Sequence, residues 1–277
     1  MNKSPKIVQS NLFLAAKQRL DANDPAEKIA LTTVLCQAWQ AGKLALADDR
    51  QMQPIGPPGR PERPRLVSPR ELPQRRLHTE SGRAALIHAV AHIEFNAINL
   101  ALDAVYRFRD MPKTYYADWL RVAFEEAHHF SLLQERLGEL GYSYGDFDAH
   151  DGLWEMAMVT AHDPLIRMAL VPRVLEARGL DVTPGMIQRL KNAGDNRTVA
   201  ILEIILREEV GHVAIGSRWF RHCCEQAGQP VEETFLKLLR TYYRGRIRGP
   251  FNEVARLAAG FTATELASLR ELEQITD

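Results

Sequence analysis

Two segments of the 277-residue chain repeat one spacing of metal-ligating residue types, Glu126-Ala127-His128-His129 and Glu209-Val210-Gly211-His212. In Glu-x-x-His the carboxylate and the imidazole share one helix face about one turn apart, so both can reach one metal ion. Two more glutamates, Glu94 and Glu176, stand upstream of the two motifs at nearly equal separations. One Glu-x-x-His arises by chance in many helical proteins. Two copies, each with an upstream glutamate, point to a dinuclear site with ligands Glu94, Glu126, His129, Glu176, Glu209 and His212.

These residues interrupt apolar stripes with helical spacing. The stripes run Ala84, Ile87, Ala91, Glu94, Ile98; then Trp119, Val122, Glu126, His129, Leu133; then Leu165, Ala169, Pro172, Glu176; then Leu202, Ile205, Glu209, His212, Gly216. A buried, unpaired carboxylate is costly, and four together also repel one another. The stripes hold too few cations to neutralise them, whereas two divalent metals match four carboxylates in charge. A third motif, Glu125 with His128, overlaps the first. Its helical neighbours Asp118 and Arg121 mark an outer face, so Glu125 and His128 read as surface or supporting residues, and Glu208 as pointing away from its stripe.

The elements that must carry these stripes are long helices over about 79–108, 114–140, 151–178 and 195–227, with a short helix at 184–192 and two or three more after 231. Turn signals separate them at Asp110-Met111-Pro112, Gly141 to Gly145, Gly179 to Pro184 and Gly194-Asp195. Long helices with short turns predict an all-α antiparallel bundle. Glu94 and Glu126 lie symmetrically about the 110–112 turn, which sets them side by side in a helical hairpin. Pro172 removes an amide donor one turn before Glu176 and frees the Met168 carbonyl, so the third helix is expected to kink beside the site. Upstream, residues 7–46 read as two amphipathic helices, the second opened by Asp24-Pro25. Seven of the fifteen prolines then fall between Pro54 and Pro73. This arginine-bearing stretch reads as an extended arm, more a solvated linker than a binding element.

Composition bounds the rest. Basic and acidic residues number 35 each, for zero formal charge, which argues against a globally basic nucleic-acid binder. No uninterrupted apolar run spans a bilayer, and three cysteines without a CxxC pattern suggest a reducing, cytoplasmic setting. His162 reads as a core histidine, His88 and His92 as interfacial, and Cys223-Cys224 as buried or incidental. The run from Tyr242 to Phe251 interleaves Arg244, Arg246 and Arg248 with aromatics. Such runs can hold phosphates or stack bases, although a basic helix end with packed aromatics is the plainer reading.

The segments AHIEFNAINLALDA, WLRVAFEEAHHF, LVPRVLEARGLDVTP and REEVGHVAIGSRWF resemble a bacterial ferritin-like di-iron carboxylate family of unassigned function, over about residues 65–227. The ligand order is distantly similar to that of tRNA-modifying di-iron hydroxylases. The resemblance implies a ferritin-like antiparallel four-helix bundle at 79–227, flanked by N-terminal helices and an arm at 1–78 and C-terminal helices at 228–277. It implies the same six ligands, with two iron ions, or manganese or a mixed pair. The expected function is an oxidoreductase that activates dioxygen to hydroxylate or oxidise a small-molecule or RNA substrate. Glu126 and Glu209 would be the bridging, catalytic carboxylates. Electrons would come from an external donor, since no flavin or nicotinamide fingerprint is present. The expected state is a monomer or small homo-oligomer without a membrane role. A ferroxidase or iron-storage role is the alternative, disfavoured by the long additions at both ends.

Overall fold

The structure is a computed structural model and describes residues 10–46, 52–73, 77–243, 245 and 247–276. Its elements are α1 (Leu12–Leu20), α2 (Pro25–Gln40), α3 (Glu80–Arg107), α4 (Lys113–Glu139), α5 (Gly152–Val159), α6 (Pro164–Leu170), a π-helical segment (Val171–Glu176), α7 (Ala177–Asn192), α8 (Asn196–Gln226), α9 (Val231–Tyr242), α10 (Glu253–Ala258) and α11 (Ala263–Thr276). Among the described residues the fold is all-α apart from a two-residue parallel pairing of β1 (Ser10–Asn11) with β2 (Leu44–Ala45) and a single bridge between Leu66 and Ala149. Caps follow the sequence. Asp24 accepts from the Glu27 amide with Pro25 in the first turn, Thr79 accepts from Gly82, and Asp195 accepts from Thr198.

Helices α3 and α4 turn back on each other at residues 108–112, where the Tyr116 hydroxyl donates to the carbonyls of Phe108 and Arg109 at 3.0 and 2.6 Å. Helices α4 and α8 run antiparallel. Their register is fixed by contacts of Asp118 with Arg218 and Trp219, Glu125 with His212, His129 with Glu208, and Arg136 with Thr198. α3 is long and apolar enough to cross a membrane, but most of that length is buried inside the fold. One hydrophobic core joins residues from Leu12 in α1 to Leu269 in α11.

The third row departs from the expected single helix at 151–178. It breaks at residues 160–163, where Thr160 bonds back to the Met156 carbonyl and Asp163 caps α6 through the Leu165 amide with Pro164 next to it. The same Asp-Pro signal that opens α2 recurs there. Buried Arg167 holds the break, donating to Thr160 at 2.8 Å, to Asp103 of α3 at 2.6 Å and to the Ala157 carbonyl. The irregularity expected at Pro172 takes the form of the π segment, which carries Glu176 at its end. Widened turns of this kind concentrate at functional sites. Gly216 of α8 admits the proline ring, because a Cβ there would stand 2.3 Å from Pro172 Cβ.

The turn expected at Gly179 to Pro184, with a separate short helix at 184–192, is absent, and α7 runs unbroken through both residues. Pro184 removes the amide that would bond the Leu180 carbonyl. Asn252 Nδ2 donates to that carbonyl instead, at 3.1 Å. The C-terminal segment thus repairs the helix that the sequence pattern breaks.

The proline-rich arm is not a solvated linker. Ile55, Pro58 and Pro64 are buried. The Gly59 amide donates to the Leu20 carbonyl, and Arg65 and Val67 exchange backbone bonds with Ala149. Arg60 pairs with Asp151 at 3.0 Å and Arg65 with Asp148 at 2.6 Å. The arm straps α1 to the α4–α5 connection.

Candidate metal centre

Glu94 of α3, Glu126 and His129 of α4, and Glu209 of α8 bring ligand atoms within 4.8 Å of one another, a group that could hold a metal ion. His129 Nδ1 lies 3.2 Å from Glu94 Oε2 and 3.3 Å from Glu126 Oε2. His212 Nδ1 lies 3.2 Å from Glu209 Oε1 and 3.0 Å from Glu126 Oε1, the latter without an aligned hydrogen bond. Glu126 therefore offers one oxygen toward each imidazole, and the two rings stand 5.7 Å apart. Glu176, at the end of the π segment, lines the same cavity as Glu94, Glu126 and Glu209. The fold brings all six expected residues to one place, because the antiparallel register of α4 and α8 sets the two Glu-x-x-His motifs opposite each other.

Two residues outside the stripes also belong to this centre. His129 Nε2 lies 2.8 Å from Glu208, and His212 Nε2 lies 2.7 Å from Glu125. The support is crosswise, with each helix's outer glutamate holding the other helix's histidine. An outer carboxylate of this kind fixes the tautomer of a ligating imidazole and turns its second nitrogen toward the metal. Glu208, expected to point away, thus reaches across to His129 of the neighbouring helix. The signal lay in the doublets Glu125-Glu126 and Glu208-Glu209. His128 is exposed, as a surface residue should be.

Electrostatics show how the metal-free chain tolerates this density of acid. Burial, reinforced by Glu126, pushes Glu94 up to about 8. Burial, with the Glu209 and Glu126 charges, raises Glu176 well above the carboxylate range. Burial disfavours a charged His129, but Glu126 and Glu94 outweigh it and lift the imidazole to about 11. His212 rises likewise against burial, under the pull of Glu209 and Glu126. Burial also works against the Glu126 carboxylate, yet the two imidazoles keep it below its ordinary value. Burial opposes ionisation of Glu125 too, and bonds from His212 and Arg121 override it to about 2.

The donor set fits a metal. Glu126 Oε1 and Glu176 Oε2 are buried without a hydrogen-bond partner. Such orphans are rare in native interiors and call for an ion or water. The buried arginines of the third row do not neutralise them, since Arg167 pairs with Asp103 and Arg173 with Glu265. Carboxylate and imidazole ligands suit first-row divalent metals.

The remaining candidates lie elsewhere. His162 is exposed beside Tyr242, not in the core. His88 and His92 are buried between α3 and the 142–150 segment. His88 accepts from the Gly145 amide and His92 bonds Tyr144, and burial lowers both to about 4. Cys223 and Cys224 are buried free thiols. In the basic run Tyr242, Tyr243, Ile247 and Phe251 pack against the core and Arg248 is exposed, while Arg244 and Arg246 lie outside the described residues.

Fold and site together define an all-helical protein with a buried glutamate–histidine cluster able to hold metal. The chain belongs to the family DUF455, described as proteins of unknown function, whose model matches residues 21–267. It is 52% identical over 221 residues to an uncharacterized protein of Haemophilus influenzae, a match covering 77% of each chain. No solved structure matches.

Proposed function

We propose that this chain is a ferritin-like four-helix-bundle protein holding two metal ions, iron before manganese, and that it uses them with dioxygen to oxidise an organic substrate. The observation that carries this reading is Glu126, whose two oxygens face His129 and His212 separately, as a bridging carboxylate would. Glu94 and His129 would complete one site and Glu176 and His212 the other, with Glu209 as the second shared carboxylate. A reduced metal pair would supply the electrons that activate dioxygen, and an external donor would restore them. The chain's own part is positional. Glu125 and Glu208 hold the two imidazoles by their outer nitrogens, and the π segment carries Glu176 into the cluster. The apolar walls around Val90, Ala97 and Leu202 exclude bulk water.

The cavity also favours substrate oxidation over iron handling. Its walls away from the glutamates are largely apolar, which suits an organic group better than a hydrated ferrous ion entering for storage. The test is stopped-flow mixing of ferrous-loaded protein with oxygen. The expected result is a transient visible absorption lost in Glu126→Ala. Slow, featureless oxidation identical in the variant would contradict the reading.

A further inference from the structure

A buried metal pair that oxidises an organic molecule needs a passage, and the lining of that passage states what can enter. The inner cavity, about 140 Å³, is lined by the four cluster glutamates and otherwise mostly by apolar side chains. An apolar cavity of about 150 Å³ takes one benzene ring, so this chamber accepts an apolar group of about that size. A second cavity of about 290 Å³ lies outside it. Ile93, Leu153, Leu175 and Arg178 line both and form their common wall.

The outer chamber is cationic. Four arginines line it, with Asp181 the one carboxylate. Two of the four are already neutralised. Arg173 donates to both oxygens of Glu265, and Arg256 holds Asp181 by two bonds of 2.9 and 2.7 Å. Arg178 lies 3.7 Å from the same Asp181 and donates to the carbonyls of Arg248, Gly249 and Pro250. A guanidinium has five N–H donors, and these carbonyls engage three of Arg178's. Arg248 is exposed and makes no ion pair among the described residues.

We infer that the passage takes a small organic anion with an apolar body, the body passing Ile93, Leu153 and Leu175 into the inner chamber and a carboxylate or phosphate group resting on Arg178 and Arg248. What becomes of the ligand rests on the oxidase reading above; its binding does not.

Calorimetry on the manganese-loaded full chain tests this, with octanoate, octyl phosphate and octanol as probes. At least one anion should bind roughly tenfold or more tightly than octanol, as a charge-assisted contact predicts, and the better anion identifies the head group. Arg248→Gln, at an exposed position, should weaken the anion by roughly tenfold and leave octanol unchanged. Ile93→Trp, at a half-exposed position on the common wall, should weaken all three. Octanol binding as tightly as both anions, or anions indifferent to Arg248→Gln, would overturn the inference. So would a single-stranded RNA oligomer that binds where neither anion does. Metal content measured on the same samples separates the two claims. Two metals per chain with no anion binding sinks this inference alone, whereas a chain that takes up no metal sinks the dinuclear reading beneath it.

Discussion

Each imidazole of the cluster is gripped from both ends, inward by cluster carboxylates and outward by a glutamate from the opposite helix. Removing the outer charge while keeping the amide, in Glu125→Gln or Glu208→Gln, should lower metal affinity by roughly 10–100-fold. Helical content should stay the same, and competition with a coloured chelator reads the change. Metal uptake should also release protons, because burial and neighbouring carboxylates raise Glu94 to about 8 and His129 to about 11, and raise Glu176 and His212 in the same direction. Adding manganese to weakly buffered protein near pH 7 should therefore acidify it, and an unchanged pH would contradict the protonation pattern. The six inner residues were legible in the sequence because each breaks an apolar stripe. Glu125 was legible only as a surface or supporting residue and Glu208 was read as pointing away, since only the α4–α8 register shows that their side chains reach the neighbouring helix.

At the scale of elements, the π segment and the close approach of α8 to it set the position of Glu176. Gly216→Ala would drive a methyl into the Pro172 ring. Overpacking of this kind costs about 1–3 kcal/mol, so thermal unfolding should shift down and metal binding should weaken with it. Unchanged values for both would show that the contact is loose. Long helices with sustained stripes, α3, α4 and α8, were legible to within a few residues. The third row was not. Gly179 and Pro184 are local breakers, but a distant side chain, Asn252, donates to the Leu180 carbonyl the hydrogen bond that Pro184, lacking an N–H, cannot. At 160–163 the reverse holds, and an Asp-Pro start signal within an apolar stretch marked a real break.

Across the whole molecule, the N-terminal helices and arm are part of the core and not an appendage. Lys28 of α2 is buried, with its Nζ 2.9 Å from the Leu20 carbonyl and 2.5 Å from Asn99 Oδ1 of α3. Burial brings it down to about 7, partly offset by Asp21. The unfolded chain therefore binds this proton more tightly than the folded one between about pH 7 and 10.5. Over that window Lys28 makes stability rise with pH, by at most about 1.4 kcal/mol per unit. Denaturant titrations of wild type and Lys28→Met at pH 7 and pH 9 should show the difference moving in favour of wild type as pH rises; a constant difference would contradict a neutralised lysine. The sequence pattern gave no warning of this residue, because a lysine in an amphipathic helix reads as solvated. The same holds for charge overall. Zero formal charge conceals a centre where acids outnumber local cations, an excess that bound metal would offset. The most direct test is elemental analysis of purified protein beside the Glu126→Ala/Glu209→Ala double variant. Close to two iron or manganese ions per wild-type chain and none in the variant are expected; full metal content in the variant, or none in the wild type after loading, would contradict a dinuclear centre at these residues.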